Sequence, residues 1–194
     1  MAGVVEPPAR LLLKIGVTPD AVTIVGAVGA CASSLLLLSQ GNFLWGFVLC
    51  FIFGLSDLFD GTMARLRGVS GPWGNFLDAT LDRITDGVVF GSLAWWGYTT
   101  NDPWIVSGSL LALVSGQVVS YARARAEAVG ATASVGIAER AERLLLTGLG
   151  VLLAGFGVPY ALPIILWIVG VAGVVTVGQR IFVVHRQLRG ESDS

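Results

Sequence analysis

Apolar residues run through this chain in six long stretches, separated by short polar segments or by Gly and Pro. A membrane-spanning helix needs about twenty predominantly apolar residues. That length fits the segments 19–39, 42–66, 74–98, 103–127, 138–156 and 159–187. Thr18-Pro19-Asp20 opens the first with an N-cap residue, a proline at the first helical position and an acid in the first turn. Ahead of it, Pro7-Pro8-Ala9-Arg10-Leu11-Leu12-Leu13-Lys14-Ile15-Gly16 is too short to span. Its Arg10 and Lys14 share a face, so residues 5–16 are predicted to form a juxtamembrane helix lying on the bilayer. The pattern thus predicts an all-α integral membrane protein of six transmembrane helices plus an N-terminal interfacial amphipathic helix. It is read as a single domain over residues 1–194, with the helical bundle at 19–187.

The placement of charge orients this bundle. The connections 39–42, 98–103 and 155–159 carry no Lys or Arg, while Arg10, Lys14, Arg65, Arg67, Arg83, Arg123, Arg125, Arg140, Arg143, Arg180, Arg186 and Arg189 all fall at the opposite ends of the predicted helices. By the positive-inside rule, both termini and the segment 57–82 are expected on the cytoplasmic side of a cell membrane. Trp45, Trp95, Trp96 and Trp104 then cluster near the far interface and Trp73 near the cytoplasmic one, as aromatic anchors. Composition agrees: 54% of residues are hydrophobic and 13% charged, against roughly 25% charged in soluble domains. With a net charge of −1, no nucleic-acid partner is expected. Cys31 and Cys50 lie in apolar stretches without metal-site company, and the N-terminus lacks the pattern of a signal peptide.

Against this apolar background, four carboxylates stand out. Asp57 and Asp60 are spaced i, i+3, and Asp78 and Asp82 i, i+4, so on helices each pair shares a face one turn apart. Charges at a membrane edge need a partner, and four acids cannot neutralise one another, so a cation is expected. Oxygen-only ligands suit hard divalent ions, and the absence of nearby His and Cys argues against zinc or copper. Two short carboxylate pairs on adjacent helices would suit a two-metal site for phosphate chemistry. Arg65, one turn beyond Asp60, adds a phosphate-binding fork, and Gly61 leaves room for a ligand to approach. Gly68, Gly71 and Gly74 make the linker between the pairs pliable enough to fold over a nucleotide or phosphate. Asp86 continues the stripe of Asp78 and Asp82, either as partner of Arg83 or as a contact to an acceptor.

Asp57-x2-Asp60-Gly61-x2-Ala64-Arg65-x8-Gly74-x3-Asp78-x3-Asp82 resembles the full signature of the CDP-alcohol phosphatidyltransferase family. The resemblance implies a homodimeric membrane enzyme that displaces CMP from a CDP-linked lipid with an alcohol, using two divalent cations, Mg²⁺ or Mn²⁺. It implies that Asp57, Asp60 and Asp78 are metal ligands, Asp57 and Asp78 bridging, and that Asp82 touches the second metal and acts as general base. Gly61 and Arg65 resemble contacts to the nucleotide and pyrophosphate, and Asp20-Ala21-Val22-Thr23 resembles a cytidine-side segment. Either Ser70 or Gly71 would complete the cytidine pocket. The chemistry agrees: bridged cations relieve charge repulsion on a pyrophosphate, and a carboxylate can take the proton of the attacking hydroxyl.

A second basic constellation bears on the acceptor. Tyr121-Ala-Arg123-Ala-Arg125-Ala-Glu127 ends the fourth predicted helix, and Ile137-Ala-Glu139-Arg140-Ala-Glu142-Arg143 opens the fifth. Arginines at a helix N-terminus oppose the macrodipole, so Arg140 and Arg143 suit an anion better than they suit the helix. Several guanidiniums favour a phosphorylated alcohol over choline or ethanolamine. The two segments resemble those of actinobacterial phosphatidylinositol-phosphate synthases, which implies CDP-diacylglycerol as donor and 1D-myo-inositol 3-phosphate as acceptor, in a bacterial cell membrane. Arg123, Arg143 and Arg180 are the acceptor-phosphate candidates; Arg180 alone also reads as a snorkelling interface charge. Glycerol 3-phosphate, as in phosphatidylglycerophosphate synthase, is the alternative acceptor. Divalent cation transport is the alternative of a different class, but the chain has no internal repeat and its acids sit near one face rather than the midplane.

Overall fold

The computed structural model describes residues 2–68 and 71–190, and among them the only regular elements are helices. In chain order these are α1 (Ala2–Lys14), α2 (Pro19–Leu36), α3 (Phe43–Gly54), α4 (Ser56–Arg67), α5 (Pro72–Thr99), α6 (Pro103–Ala128), α7 (Arg140–Gly155) and α8 (Ala161–Leu188), with a single 3-10 turn at Leu38–Gln40. They fall into two compact units, divided within α5 after Ser92.

In the first unit α2 is the central element, packing on both α3 and α4, while α1 packs on α4. Thr18 caps α2 through its hydroxyl, which accepts from Ala21 N at 3.2 Å. The buried face of α2 is Pro19, Thr23, Gly26, Ala30, Ser33 and Ser34, at helical spacing and made of small residues. Small faces let backbones approach closely where lipid offers no hydrophobic drive between helices. The closest approach is at Gly26, where an added Cβ would lie 1.8 Å from Ser56 Oγ and 2.6 Å from its Cβ. That contact fixes the start of α4 against α2, and Asp57 and Asp60 with it.

The expected continuous helix over 42–66 is interrupted at Leu55. There Leu55 N is shared between Phe51 O (3.1 Å) and Ile52 O (3.3 Å), and Leu58 N bonds Leu55 O at 3.1 Å, so the turn tightens toward 3-10 geometry. The cause is local: Ser56 Oγ donates to Phe53 O at 2.6 Å, competing for the carbonyl that a regular helix gives to Asp57 N. The interfacial segment also begins earlier than expected, at Ala2, which puts Pro7 and Pro8 inside α1.

In the second unit α6 and α8 share the largest interface, and α7 packs on α8. Asp102 caps α6 by accepting from Trp104 N and Ile105 N at 3.0 and 3.2 Å. The facing stripes are again small, with Gly108, Ser109, Ala112, Ser115 and Gly116 on α6 and Gly170, Gly173 and Thr176 on α8. Trp167 Nε1 donates to Trp104 O at 3.1 Å, tying the two helices at the end where the far interface was expected.

Among the described residues, four stretches are long and apolar enough to cross a membrane: Pro19–Gln40, Phe43–Arg67, Pro103–Ala128 and Ala161–Leu188. The remaining two expected spans are helical but differ in kind. α5 is long but carries Asp78, Asp82, Arg83 and Asp86, and α7 has 16 residues. At 1.5 Å per residue α7 reaches about 24 Å, short of the roughly 30 Å hydrocarbon core.

The packing at Gly26 makes a prediction. Gly26→Ala is expected to destabilise the protein by about 1–3 kcal/mol through overpacking against Ser56, read as a lowered melting temperature in detergent. Gly61→Ala, where a Cβ would meet nothing within 4 Å, is expected to hold the melting temperature or raise it slightly, since alanine favours a helix over glycine.

Candidate functional site

Three of the four sequence-marked carboxylates converge. Asp57 and Asp60 come from α4 and Asp78 from α5, and one carboxylate oxygen of each lies within 4.8 Å of the others. The exposed Asp57 and half-buried Asp60 and Asp78 form an all-oxygen donor set, which fits a hard divalent cation such as Mg²⁺ or Mn²⁺ and offers nothing to a soft one. Asp82 stands one helical turn beyond Asp78 on α5 and is not part of that tight set.

Thr23 supplies the closest support. Its hydroxyl donates to Asp60 Oδ2 at 2.5 Å, while Pro19 O lies 3.2 Å away. A hydroxyl has a single proton, and the shorter contact, to a charged acceptor, takes it. This bond fixes one oxygen of Asp60 and leaves its other lone pairs for a ligand. From sequence, Thr23 read as a nucleotide contact; its role toward Asp60 spans 37 positions and has no local signal.

Asp20, in the same first turns of α2, accepts from Trp73 Nε1 at 3.0 Å. Trp73, expected as an interface anchor, thus also tethers the start of α5 to the start of α2. Ala21 and Val22 lie between these two polar contacts, on the first turn of α2. Arg65 is exposed, with its Nη2 donating to Thr62 Oγ1 at 3.2 Å, and Gly61 opens on empty space. Gly71 is exposed immediately ahead of α5, while Ser70 lies outside the described residues. Beyond the set, Arg83 Nη2 sits 3.8 Å from Asp82 and 3.6 Å from Asp86, whose side chain is 3% exposed. Asp86 is therefore the ion partner of Arg83, the first of its two sequence readings.

The arginines expected from sequence to hold an acceptor's phosphate all lie in the second unit. Arg143 is 1% exposed, and a Cβ on Gly116 would come within 3.0 Å of its guanidinium. Arg180, 3% exposed, donates from Nη1 to Val119 O at 2.6 Å and from Nε to Val135 O at 2.9 Å, with Nη2 at 3.5 Å from Glu139. Arg123 is exposed and bonds Glu127 at 3.2 Å. Positions 116, 119 and 123 share one face of α6, so the three guanidiniums gather along about 10 Å of that helix. The snorkelling reading of Arg180 fails, because its head is held by backbone carbonyls inside the unit.

Residues 16–182 match the family described as CDP-alcohol phosphatidyltransferase. The chain is 44% identical over 180 residues to the phosphatidylinositol phosphate synthase of Corynebacterium glutamicum, covering 92% of this chain and 82% of that one. It is similar to the crystal structure of Mycobacterium tuberculosis phosphatidylinositol phosphate synthase with CDP-DAG bound, with a TM-score of 0.89, 41% identity and 94% of each chain covered. A second structure of that protein, in complex with manganese and citrate, matches with a TM-score of 0.88 at 41% identity, covering 94% of this chain and 89% of that one.

The Thr23 contact is testable. Thr23→Val removes the hydroxyl at nearly constant volume and is expected to weaken Mn²⁺ binding by about tenfold, followed by Mn²⁺ electron paramagnetic resonance titration. Thr23→Ser is expected to bind as the parent does. Equal affinities in all three would separate Thr23 from the metal site.

Proposed function

Because the chain belongs to the CDP-alcohol phosphatidyltransferase family, we propose that it transfers the phosphatidyl group of CDP-diacylglycerol to 1D-myo-inositol 3-phosphate and releases CMP. The observation that carries this reading is the convergence of Asp57, Asp60 and Asp78 to within 4.8 Å, two of them at the polar end of the stretch Phe43–Arg67, which is apolar enough to cross a membrane. Such a set belongs where a charged headgroup reaction meets lipid.

Asp57, Asp60 and Asp78 are the residues that would hold one divalent cation, and with Asp82 a second. Cations bound there supply Lewis-acid polarisation and neutralise the diphosphate. The protein's own groups do the rest. Asp82 takes the proton of the inositol hydroxyl, whose oxygen forms a new bond to the lipid-linked phosphorus while the bond to CMP breaks. Arg65 offers its fork to the diphosphate, and Gly61 leaves space beside Asp60 for it. Asp20, Ala21, Val22 and Thr23 border the nucleotide in this reading, with either Ser70 or Gly71 completing the cytidine pocket. Arg123, Arg143 and Arg180 draw the acceptor's phosphate, and the approach of Arg143 from α7 and Arg180 from α8 to the Arg123 face of α6 supports that role.

The same reading makes α5 and α7 membrane-spanning, for six spans in a single domain, with α1 lying at the interface. The one-sided Lys and Arg support cytoplasmic termini and a cytoplasmic active site. Two copies of the chain form the working enzyme in this reading.

Two assays test it. Purified enzyme given CDP-diacylglycerol, Mg²⁺ and an equimolar mixture of inositol 3-phosphate and glycerol 3-phosphate is expected to make phosphatidylinositol phosphate, identified by mass spectrometry. Phosphatidylglycerophosphate as the main product would overturn the acceptor. Asp82→Asn is expected to lower kcat by at least about a thousandfold while retaining CDP-diacylglycerol binding. Turnover near the parent's would remove Asp82 as the base.

A further inference from the structure

Between α6 and α7 the chain runs without helix from Val129 to Glu139, yet side chains of α8 stitch it down along its length. Gln187 clamps Thr132 from both sides: its Oε1 accepts from Thr132 N at 2.9 Å, and its Nε2 donates to Thr132 O at 2.9 Å. Arg180 Nε donates to Val135 O at 2.9 Å. Thr176 Oγ1 accepts from Ala138 N at 3.1 Å and donates to Ala172 O at 2.8 Å. Val184 packs against the buried Ala126, Ala131 and Ala133. Thr176, Arg180, Val184 and Gln187 form one face of α8, and they meet the strap in reverse order.

The lengths match. From Thr176 to Gln187 α8 rises about 16 Å, and six residues from Thr132 to Ala138 span at most about 20 Å when extended. The strap is therefore nearly straight against the helix. Gly136 makes the final approach possible: its φ is 146°, and a Cβ there would come 2.3 Å from Thr176 Cγ2. Immediately after this clamp comes Glu139, the N-cap of α7, then Arg140 at the first helical position and Arg143 one turn in. A strap serving only to join two helices needs no such register. This one sets where α7 begins, and so where the buried Arg143 stands relative to Arg180.

Resting on the acceptor reading above, we propose that Thr176 and Gln187 are positioning residues for the acceptor's phosphate, acting through the strap 131–139 on Arg143 and Arg180. Neither residue touches substrate; both hold the backbone that presents the guanidiniums.

The test is a split in KM. Thr176→Val keeps the methyl beneath Gly136 and removes the hydroxyl; Gln187→Leu removes both amide contacts. Each is expected to raise KM for inositol 3-phosphate by about tenfold and to leave KM for CDP-diacylglycerol unchanged. Thr176→Ser, which keeps the hydroxyl, is expected to restore the parent value to within about twofold. Arg123→Gln, at an exposed arginine of the proposed acceptor site, is measured beside them. If it raises the acceptor KM while Thr176→Val and Gln187→Leu do not, the positioning role is overturned. An equal rise in both substrates' KM overturns it too, by showing a merely structural role. If no variant changes the acceptor KM, Arg123→Gln included, the acceptor reading itself fails and this inference with it.

Discussion

Everything at the site depends on holding like charges together. Two carboxylate oxygens within 4.8 Å of each other repel by at least about 3 kcal/mol at an effective dielectric near 20, and three of them make three such pairs. Thr23 contributes one charge-assisted hydrogen bond, in the range of about 1.5–3 kcal/mol. That bond orients Asp60 without offsetting the repulsion of the whole set. A divalent cation does offset it, and the fold keeps the carboxylates in place for one. The means is close packing: Gly26 lets α4 lie against α2 at Ser56, which fixes the backbone that carries Asp57 and Asp60.

A site held by packing is ready before substrate arrives. The groups that would face the nucleotide are tied in the same way, with Asp20 and Trp73 joining the first turns of α2 and α5. Preorganised ligands lower the reorganisation needed when charge develops on the diphosphate. Along the apolar lengths of α2 and α6, Ser33, Ser34 and Ser107 bond back to carbonyls of their own helices.

Much of this was legible in the chain. The acid spacings pointed to the three carboxylates that converge, Asp57, Asp60 and Asp78, because helical geometry is local, and the Thr18-Pro19-Asp20 start of α2 came out as read. The interruption at Leu55 was not legible, because it turns on whether Ser56 bonds Phe53 O or solvent. The Thr23–Asp60 and Trp73–Asp20 contacts join residues 37 and 53 positions apart, beyond any periodicity. The arginines divided along the same line. Their clustering was readable from sequence, but the capture of Arg180 by the carbonyls of Val119 and Val135 was not, since any residue supplies a carbonyl. The strap to α8 escaped for the same reason: its partners are backbone groups.

The central claim is that these carboxylates exist to bind divalent cations. Anomalous diffraction from crystals of the full chain soaked in Mn²⁺ measures that directly. The account predicts a pair of peaks, one among Asp57, Asp60 and Asp78 and a neighbour shared with Asp82, both lost in Asp57→Asn. Peaks elsewhere only, or none at a Mn²⁺ concentration that supports turnover, would contradict it.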